Sequence, residues 1–294
     1  MAVADLVDPN GVDLLFDPCF GVMHSVVYAS GSGTNFREAI LESQRRGSNF
    51  SLDLLLTDKM FKKGSRDLIG ALDFASEYGI SSDTVSGLEV CGSWKEAQKT
   101  VEGRLEYERK VQVFNQAMLG KVQAFEREHG FTFDLAILAG YMRLFKGTLL
   151  RRFNNRAINV HPADLSVLNT DGSRRYVGED AVYDALKAGE KRTRSSIILV
   201  DPEIDAGAIL VSGPWVGYEG SEQDSDEAWK LEADLHQGHQ KQESDWPALR
   251  FALQAIANGE LGLHKKKSHP DGNPVVVYKG EEMPYEGIVL ETAA

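Results

Sequence analysis

The chain has 294 residues, enough for one large domain or two small ones, and its apolar content is ordinary for a globular protein. A formal net charge of −12 disfavours non-specific nucleic-acid binding but leaves room for a small anion held by local donors. No stretch reads as a membrane helix or a secretory leader, and two cysteines, Cys19 and Cys91, give neither a zinc nor a disulfide framework, so the expectation is a cytoplasmic protein without a metal.

Residues 1–23 read as an extension, with a turn signal at Asp8-Pro9-Asn10-Gly11. His24–Ser30 reads as a strand, Gly31-Ser32-Gly33-Thr34-Asn35 as a glycine loop, and Phe36–Arg46 as a helix. Leu52–Thr57 is the next strand, followed by a helix over Arg66–Tyr78 and a long polar helix over Ser93–His129 that stops at Gly130. Asp134–Ala139 is a near-continuous apolar strand of the kind buried in parallel sheets. A strand ending in Asn159-Val160-His161-Pro162 comes next, then a helix over Gly178–Lys187. Ser195–Asp201 and Ala208–Val216 read as an antiparallel pair around the turn Asp201–Gly207. Asp226–Asn258 is mostly helical, with breaks expected at Gly238 and Pro247, and Val275–Leu290 reads as a β-hairpin through Gly280–Pro284. Alternating strands and helices predict a doubly wound, mostly parallel α/β sheet with a C-terminal β-hairpin extension. Ligands on such sheets sit at the carboxyl ends of the strands, where the glycine loop, the segment after Ala139 and the Asn159/His161 pair all fall.

Four segments carry chemistry. Gly31–Asn35 joins a strand to a helix, so its backbone N–H groups and the helix start suit an anion; a plain glycine turn is the alternative, and the missing third glycine argues against a dinucleotide fingerprint. Asn159 and His161 alternate onto one side of their strand, an amide beside an imidazole at the strand mouth, where Pro162 ends the ladder. Such a pair can stabilise an oxyanion and deliver a proton; a histidine hydrogen-bonded into the core is the bland reading. Asp201–Gly207 carries three carboxylates: a partner for His161, a solvated turn or a calcium loop. Gly140–Phe145 suits a flat heteroaromatic ligand or simply starts a helix. His236 and His239, three apart on a helix, are half a metal site without a third ligand or, the simpler reading, a solvated face, and Lys265–Lys267 reads as an exposed basic patch.

In order, Ala29–Asn35, Leu138–Leu144, Asn159–Pro162 and Asp201–Gly207 resemble the glycinamide ribonucleotide formyltransferase family, folate-dependent enzymes of purine synthesis, over about His24 to Leu261. The resemblance implies a formyltransferase-like Rossmann variant over residues 24–262, with 263–294 packed on the same domain. It also implies transfer of formyl from 10-formyltetrahydrofolate, as co-substrate, to the amine of glycinamide ribonucleotide. Gly31, Ser32, Gly33, Thr34 and Asn35 would hold the acceptor's phosphate. Arg104, Met142, Arg143, Leu144 and Phe145 would line the folate pocket, with Val200 and Asp201 on its far wall. Asn159 would hold the formyl oxygen, His161 would be the general acid, and Asp205 would favour its protonated ring. The implied partners are small molecules, with no nucleic acid or membrane, and the implied state is a monomer or homodimer.

Around the acceptor the sequence departs from the family. Ala163-Asp164-Leu165-Ser166 replaces Ser-Leu-Leu-Pro, a longer loop carries Arg174 and Arg175, Ile198 stands where many members have histidine, and the ribose-binding glutamate aligns with Gln242 or Glu243. Pro162, Arg174, Arg175, Gln242 and Glu243 are therefore the candidate acceptor contacts. The alternatives are the same transfer to another phosphorylated or nucleotide-linked amine, and a non-catalytic folate or nucleotide binder. A nicotinamide-dependent oxidoreductase fits the fold but not the glycine pattern.

Overall fold

A computed structural model describes residues 11–220 and 222–291; apart from Gly11, the turn expected at Asp8–Gly11 lies outside the described residues. The strands are β1 Val12–Leu14, β2 Met23–Ala29, β3 Phe50–Thr57, β4 Ser81–Thr84, β5 Leu135–Leu138, β6 Ala157–His161, β7 Arg192–Thr193, β8 Ser196–Leu199, β9 Ile209–Ser212, β10 Val216–Gly217, β11 Leu261–Ser268, β12 Pro274–Tyr278, β13 Glu281–Glu282 and β14 Ile288–Val289. The α-helices are α1 Thr34–Ser43, α2 Gly70–Glu77, α3 Gly87–Cys91, α4 Trp94–Ala97, α5 Val101–His129, α6 Gly147–Arg152, α7 Ala181–Lys187, α8 Asp226–Gln240 and α9 Trp246–Ala257. The fold is α/β with a mostly parallel sheet, as the alternation of elements predicts. The chain divides into two compact units, Val22–Asn159 and Met1–Gly21 with Val160–Ala294, and the division falls inside β6.

In the unit Val22–Asn159 the strand order is β6-β5-β2-β3-β4, every pair parallel. Both faces of this sheet are covered, so its strands are apolar without alternation: β5 is buried along its length, as is most of β2. Helix α5 supplies much of the cover with Tyr107, Val111, Phe114, Met118 and Val122, buried at helical spacing. The single helix expected over Ser93–His129 is two. Thr100 accepts from the Gly103 N–H at 2.9 Å and so caps a new helix after α4. The helix expected over Arg66–Tyr78 starts only at Gly70, because Phe61 and Leu68 form a bridge and the chain between them turns. The short strand β4 lacks the apolar run that marks strands in the sequence; half of it is exposed.

In the other unit β8 runs antiparallel to β9, as expected, around the turn Asp201–Gly207. Helix α8 passes straight through Gly238, and the expected break is instead a π-turn over Lys241–Asp245, with Pro247 in the first turn of α9, where a missing N–H costs nothing. The C-terminal hairpin is β12–β13, turning at Lys279 and Gly280 with φ of 50° and 86° as two-residue hairpins require. It belongs to an antiparallel β1-β11-β12-β13 sheet in which β11 starts at Leu261 and Val12–Leu14, expected to be part of an extension, pairs with it. Residues 288–289 lie outside the hairpin and pair parallel to β9.

Candidate active site

Gly33 caps α1 in the left-handed region, φ 72°, and a Cβ there would lie 2.5 Å from the Ala71 Cα. The loop is thereby seated on the start of α2, with the Ala71 N–H donating to the Gly31 carbonyl at 3.2 Å. Gly33 offers no side-chain cap to α1, so the positive end of this ten-residue helix stands at the loop. Ser32 is exposed, Gly31 and Thr34 are half-buried, and Asn35 is buried.

The segment after β5 divides its predicted residues. Met142 is exposed, with its N–H donating to the Ser30 hydroxyl at 2.9 Å. Arg143 is committed inside the unit: Nε donates to Asp58 Oδ2 at 2.8 Å and Nη1 to the Tyr107 hydroxyl at 3.3 Å. The Leu144 carbonyl accepts from buried Asn115 at 2.9 Å. Phe145 corrects the sequence reading: it packs edge-on to Tyr28 at 5.2 Å in the core, so it supports this loop rather than facing a ligand. Arg104 is exposed on the first turn of α5.

Asn159 is half-buried on β6, and His161 ends the same strand. The expected open mouth is not found: His161 is 3% exposed. Its Nε2 faces the Tyr176 carbonyl at 2.9 Å and its Nδ1 lies 3.4 Å from Asp205 Oδ2. A carbonyl only accepts, so Nε2 carries a proton, and Nδ1 is the nitrogen that faces the carboxylate. The lid over the ring is the longer loop. Residues 167–175 close as a small hairpin, the Arg175 N–H donating to the Val167 carbonyl at 3.0 Å. Tyr176 then anchors the loop, its ring buried among Ala163, Ala181 and Ala185 and its hydroxyl donating to Glu190 at 2.7 Å.

Among the candidate acceptor contacts, Arg174 is engaged: it donates to the Asp205 carbonyl at 2.6 Å and to the Tyr285 hydroxyl at 3.1 Å. Its side chain is buried, so it is not a free anion-binding arginine. Arg175 is exposed, with its guanidinium 5.2 Å from the Tyr176 ring centre. Gln242 and Glu243 are exposed in the π-turn. The residue of this stretch that reaches the strand end is Gln240, whose amide donates to the Pro162 carbonyl at 2.8 Å. Val200 is half-buried and Asp201 exposed, with its carboxylate accepting from the Glu203 N–H at 3.1 Å.

Sequence reasoning missed the support. Asp164 pairs with Arg194 at 2.8 Å, both side chains buried, and accepts from the Ser166 N–H at 2.9 Å. Thr193 joins His236 at 2.7 Å and also reaches Gln240. His236 is therefore a buried network residue rather than half of a metal site or part of a solvated face, and burial lowers its pKa, with a further push from His239. Tyr176, Gly178 and Gln240 act through backbone groups or on them, and no sequence pattern marks such roles. Among the described residues no group of three or more His, Cys, Asp or Glu side chains could hold a metal ion.

A parallel open sheet with polar groups at its carboxyl edge defines a doubly wound α/β enzyme. Residues 23–214 match the family model described as formyl transferase, and the chain belongs to that family. It is a folate-dependent formyltransferase, similar to phosphoribosylglycinamide formyltransferases, as the ordered motifs implied. The enzyme of that name from Bacillus subtilis is 29% identical over 184 residues, 63% of this chain and 74% of that protein. The human trifunctional purine biosynthetic protein adenosine-3 is 22% identical over 185 residues, and the match spans 14% of its length. Two solved structures share the fold: phosphoribosylglycinamide formyltransferase from Coxiella burnetii in complex with CHES and glycinamide ribonucleotide transformylase 1 from Symbiobacterium toebii. The first has TM-score 0.59 at 19% identity, covering 92% of this chain and 99% of that one. The second has TM-score 0.59 at 22% identity, covering 91% and 99%.

Proposed function

We propose that the protein transfers the formyl group of 10-formyltetrahydrofolate to the amine of glycinamide ribonucleotide. The supporting observation is a buried His161–Asp205 pair, 3.4 Å apart, at the end of the strand that carries Asn159. In this reading the acceptor amine attacks the formyl carbon and charge collects on the formyl oxygen. The Asn159 amide stabilises that oxygen; His161 Nε2, turning from the Tyr176 carbonyl it meets at rest, gives its proton to the departing folate nitrogen and recovers one from the amine that attacked. Asp205 faces the ring at Nδ1, and the Tyr176 carbonyl orients it before reaction. The uncapped start of α1 takes the acceptor's phosphate. The exposed side chain of Met142 and the backbone around it meet the folate, and Arg143 holds that segment through Asp58.

The test is a spectrophotometric assay of the deformylated folate across a panel of phosphorylated amines, nucleotide-linked amino sugars and water alone. Turnover with glycinamide ribonucleotide at least 100-fold above every other acceptor supports the reading. A higher rate with another amine reassigns the acceptor, and ligand binding by calorimetry with no product from any acceptor removes the enzyme reading.

A further inference from the structure

We propose that Arg174 is a positioning residue for the His161–Asp205 pair, acting through the backbone of the turn that carries Asp205. The proposal rests on the reading of His161 as proton donor.

The turn Asp201–Gly207 holds its carboxylate poorly by itself. Residues 201–204 are exposed, so packing does not fix them. Asp205 has φ 52°, the left-handed region, which aspartate tolerates better than most residues with a Cβ but still at a cost. Two distant segments brace the backbone there. Arg174 Nη1 donates to the Asp205 carbonyl at 2.6 Å, and the Asn273 amide donates to the next carbonyl, Ala206, at 2.7 Å. The arginine is itself fixed on three sides. Its Nε donates to the Tyr285 hydroxyl at 3.1 Å, its Nη2 lies 3.7 Å from Asp271, and its guanidinium carbon sits 5.6 Å from the Tyr285 ring centre. Tyr285 donates in turn to Asp271 at 2.9 Å, and Asp271 accepts from the Asn273 N–H at 3.0 Å. Burial alone would raise the Asp271 pKa, but the hydrogen bonds of Asn273 and Tyr285 and the charge of Arg174 hold it below the usual carboxylate range, so the clamp keeps its anion.

The same loop reaches the reacting pair. Arg174, Tyr176 and Gly178 alternate along it. Tyr176 gives its carbonyl to His161 Nε2, and the Gly178 N–H donates at 2.8 Å to Asp205 Oδ2, the oxygen that faces His161 Nδ1. One segment therefore orients the imidazole, the carboxylate and the backbone under the carboxylate. A planar guanidinium with its donors in a fixed fork suits this task, and a lysine ammonium cannot replace it.

The test compares R174Q, Y285F and D205N with the double variant R174Q/D205N, using kcat and KM for formyl transfer, melting temperature, and the imidazole signals of protein labelled with 15N-histidine, assigned with H161N. A displacement of the Asp205 carboxylate by an ångström predicts a kcat lower by about 10- to 100-fold in R174Q, with KM within about threefold. Y285F should fall between it and the parent. In the D205N background R174Q should cost less than about threefold, since the group it positions is already gone. The His161 nitrogen signals should move in R174Q towards those of D205N. Full additivity in the double variant, or His161 signals unchanged in R174Q, overturns the proposal. Should R174Q not fold, Y285F and R174K carry the same comparison. A parent protein that transfers formyl to no amine counts against the proposed reaction, whereas the imidazole signals still decide the role of Arg174.

Discussion

The unit Val22–Asn159 offers its polar groups mainly from backbone, whereas in the unit that begins at Val160 the candidate groups are side chains held by other side chains. In the first, the loop before α1 takes its shape from backbone: Gly33 in the left-handed region, a helix start without a side-chain cap, and the backbone of Gly70 and Ala71 packed on it. In the second, His161 and Asp205 are 44 positions apart in the chain, and each is held by residues distant from both, Tyr176, Arg174 and Tyr285 among them. The first device is made of backbone and glycines that the sequence displays; the second depends on side-chain contacts whose loss removes the geometry without touching the reacting groups. That difference predicts activity losses with an intact fold in one case, and coupled losses of fold and binding in the other.

His161→Ala sharpens the comparison most. Formyl transfer should fall about 1000-fold, and because the ring is buried and bonded the variant should also lose about 1–3 kcal/mol in urea unfolding while still folding; a rate within tenfold of the parent would break the proposed chemistry. Next comes the support beneath the strand end. Arg194→Met leaves the Asp164 carboxylate buried without its partner and should cost about 3–5 kcal/mol in urea unfolding, part of it regained by adding Asp164→Asn. Equal stability of the single and double variants would show the pair to be uncoupled. For the backbone device, Gly33→Ala meets both a positive φ and the Ala71 backbone, so about 1–3 kcal/mol of stability and a several-fold rise in KM for the phosphorylated acceptor are expected together. A change in KM alone would show that the loop yields more easily than its packing implies.

The smallest effect concerns pH. Burial lowers the pKa of His236, so the unfolded chain takes up a proton at a pH where the folded one does not. This contribution is absent above the ordinary histidine range, and stability is lost as pH falls through that range. His236→Gln should flatten the loss between about pH 7.5 and pH 5.5 in urea midpoints. An unchanged pH slope in that variant would place the acid sensitivity elsewhere.

Much of this was legible in the residues. The apolar runs of β2, β3 and β5 announce a parallel sheet because strands buried on both faces cannot alternate. The order of the four motifs carried the family, and the Asn159/His161 spacing followed from the strand repeat. The depth of the histidine did not follow: strand periodicity reports a face, whereas burial depends on a loop that arrives fifteen residues later. The reach of Arg174 was equally hidden, since an arginine in a polar loop looks the same whether it meets solvent or a carbonyl. Gln240 precedes the π-turn and reaches the Pro162 carbonyl, whereas Gln242 and Glu243 within the turn face solvent, a difference no residue pattern marks.

By itself, then, the sequence determined what short-range forces dictate: the alternating elements, the glycine loop with its helix start, the strand that ends in histidine, and the family. Tertiary structure alone decided which of these side chains meet protein partners and which face solvent. Arg143, Arg174 and Phe145 each met a partner far along the chain, Asp58, the Asp205 carbonyl and Tyr28, and a charge or ring taken out of water settles where its partners are.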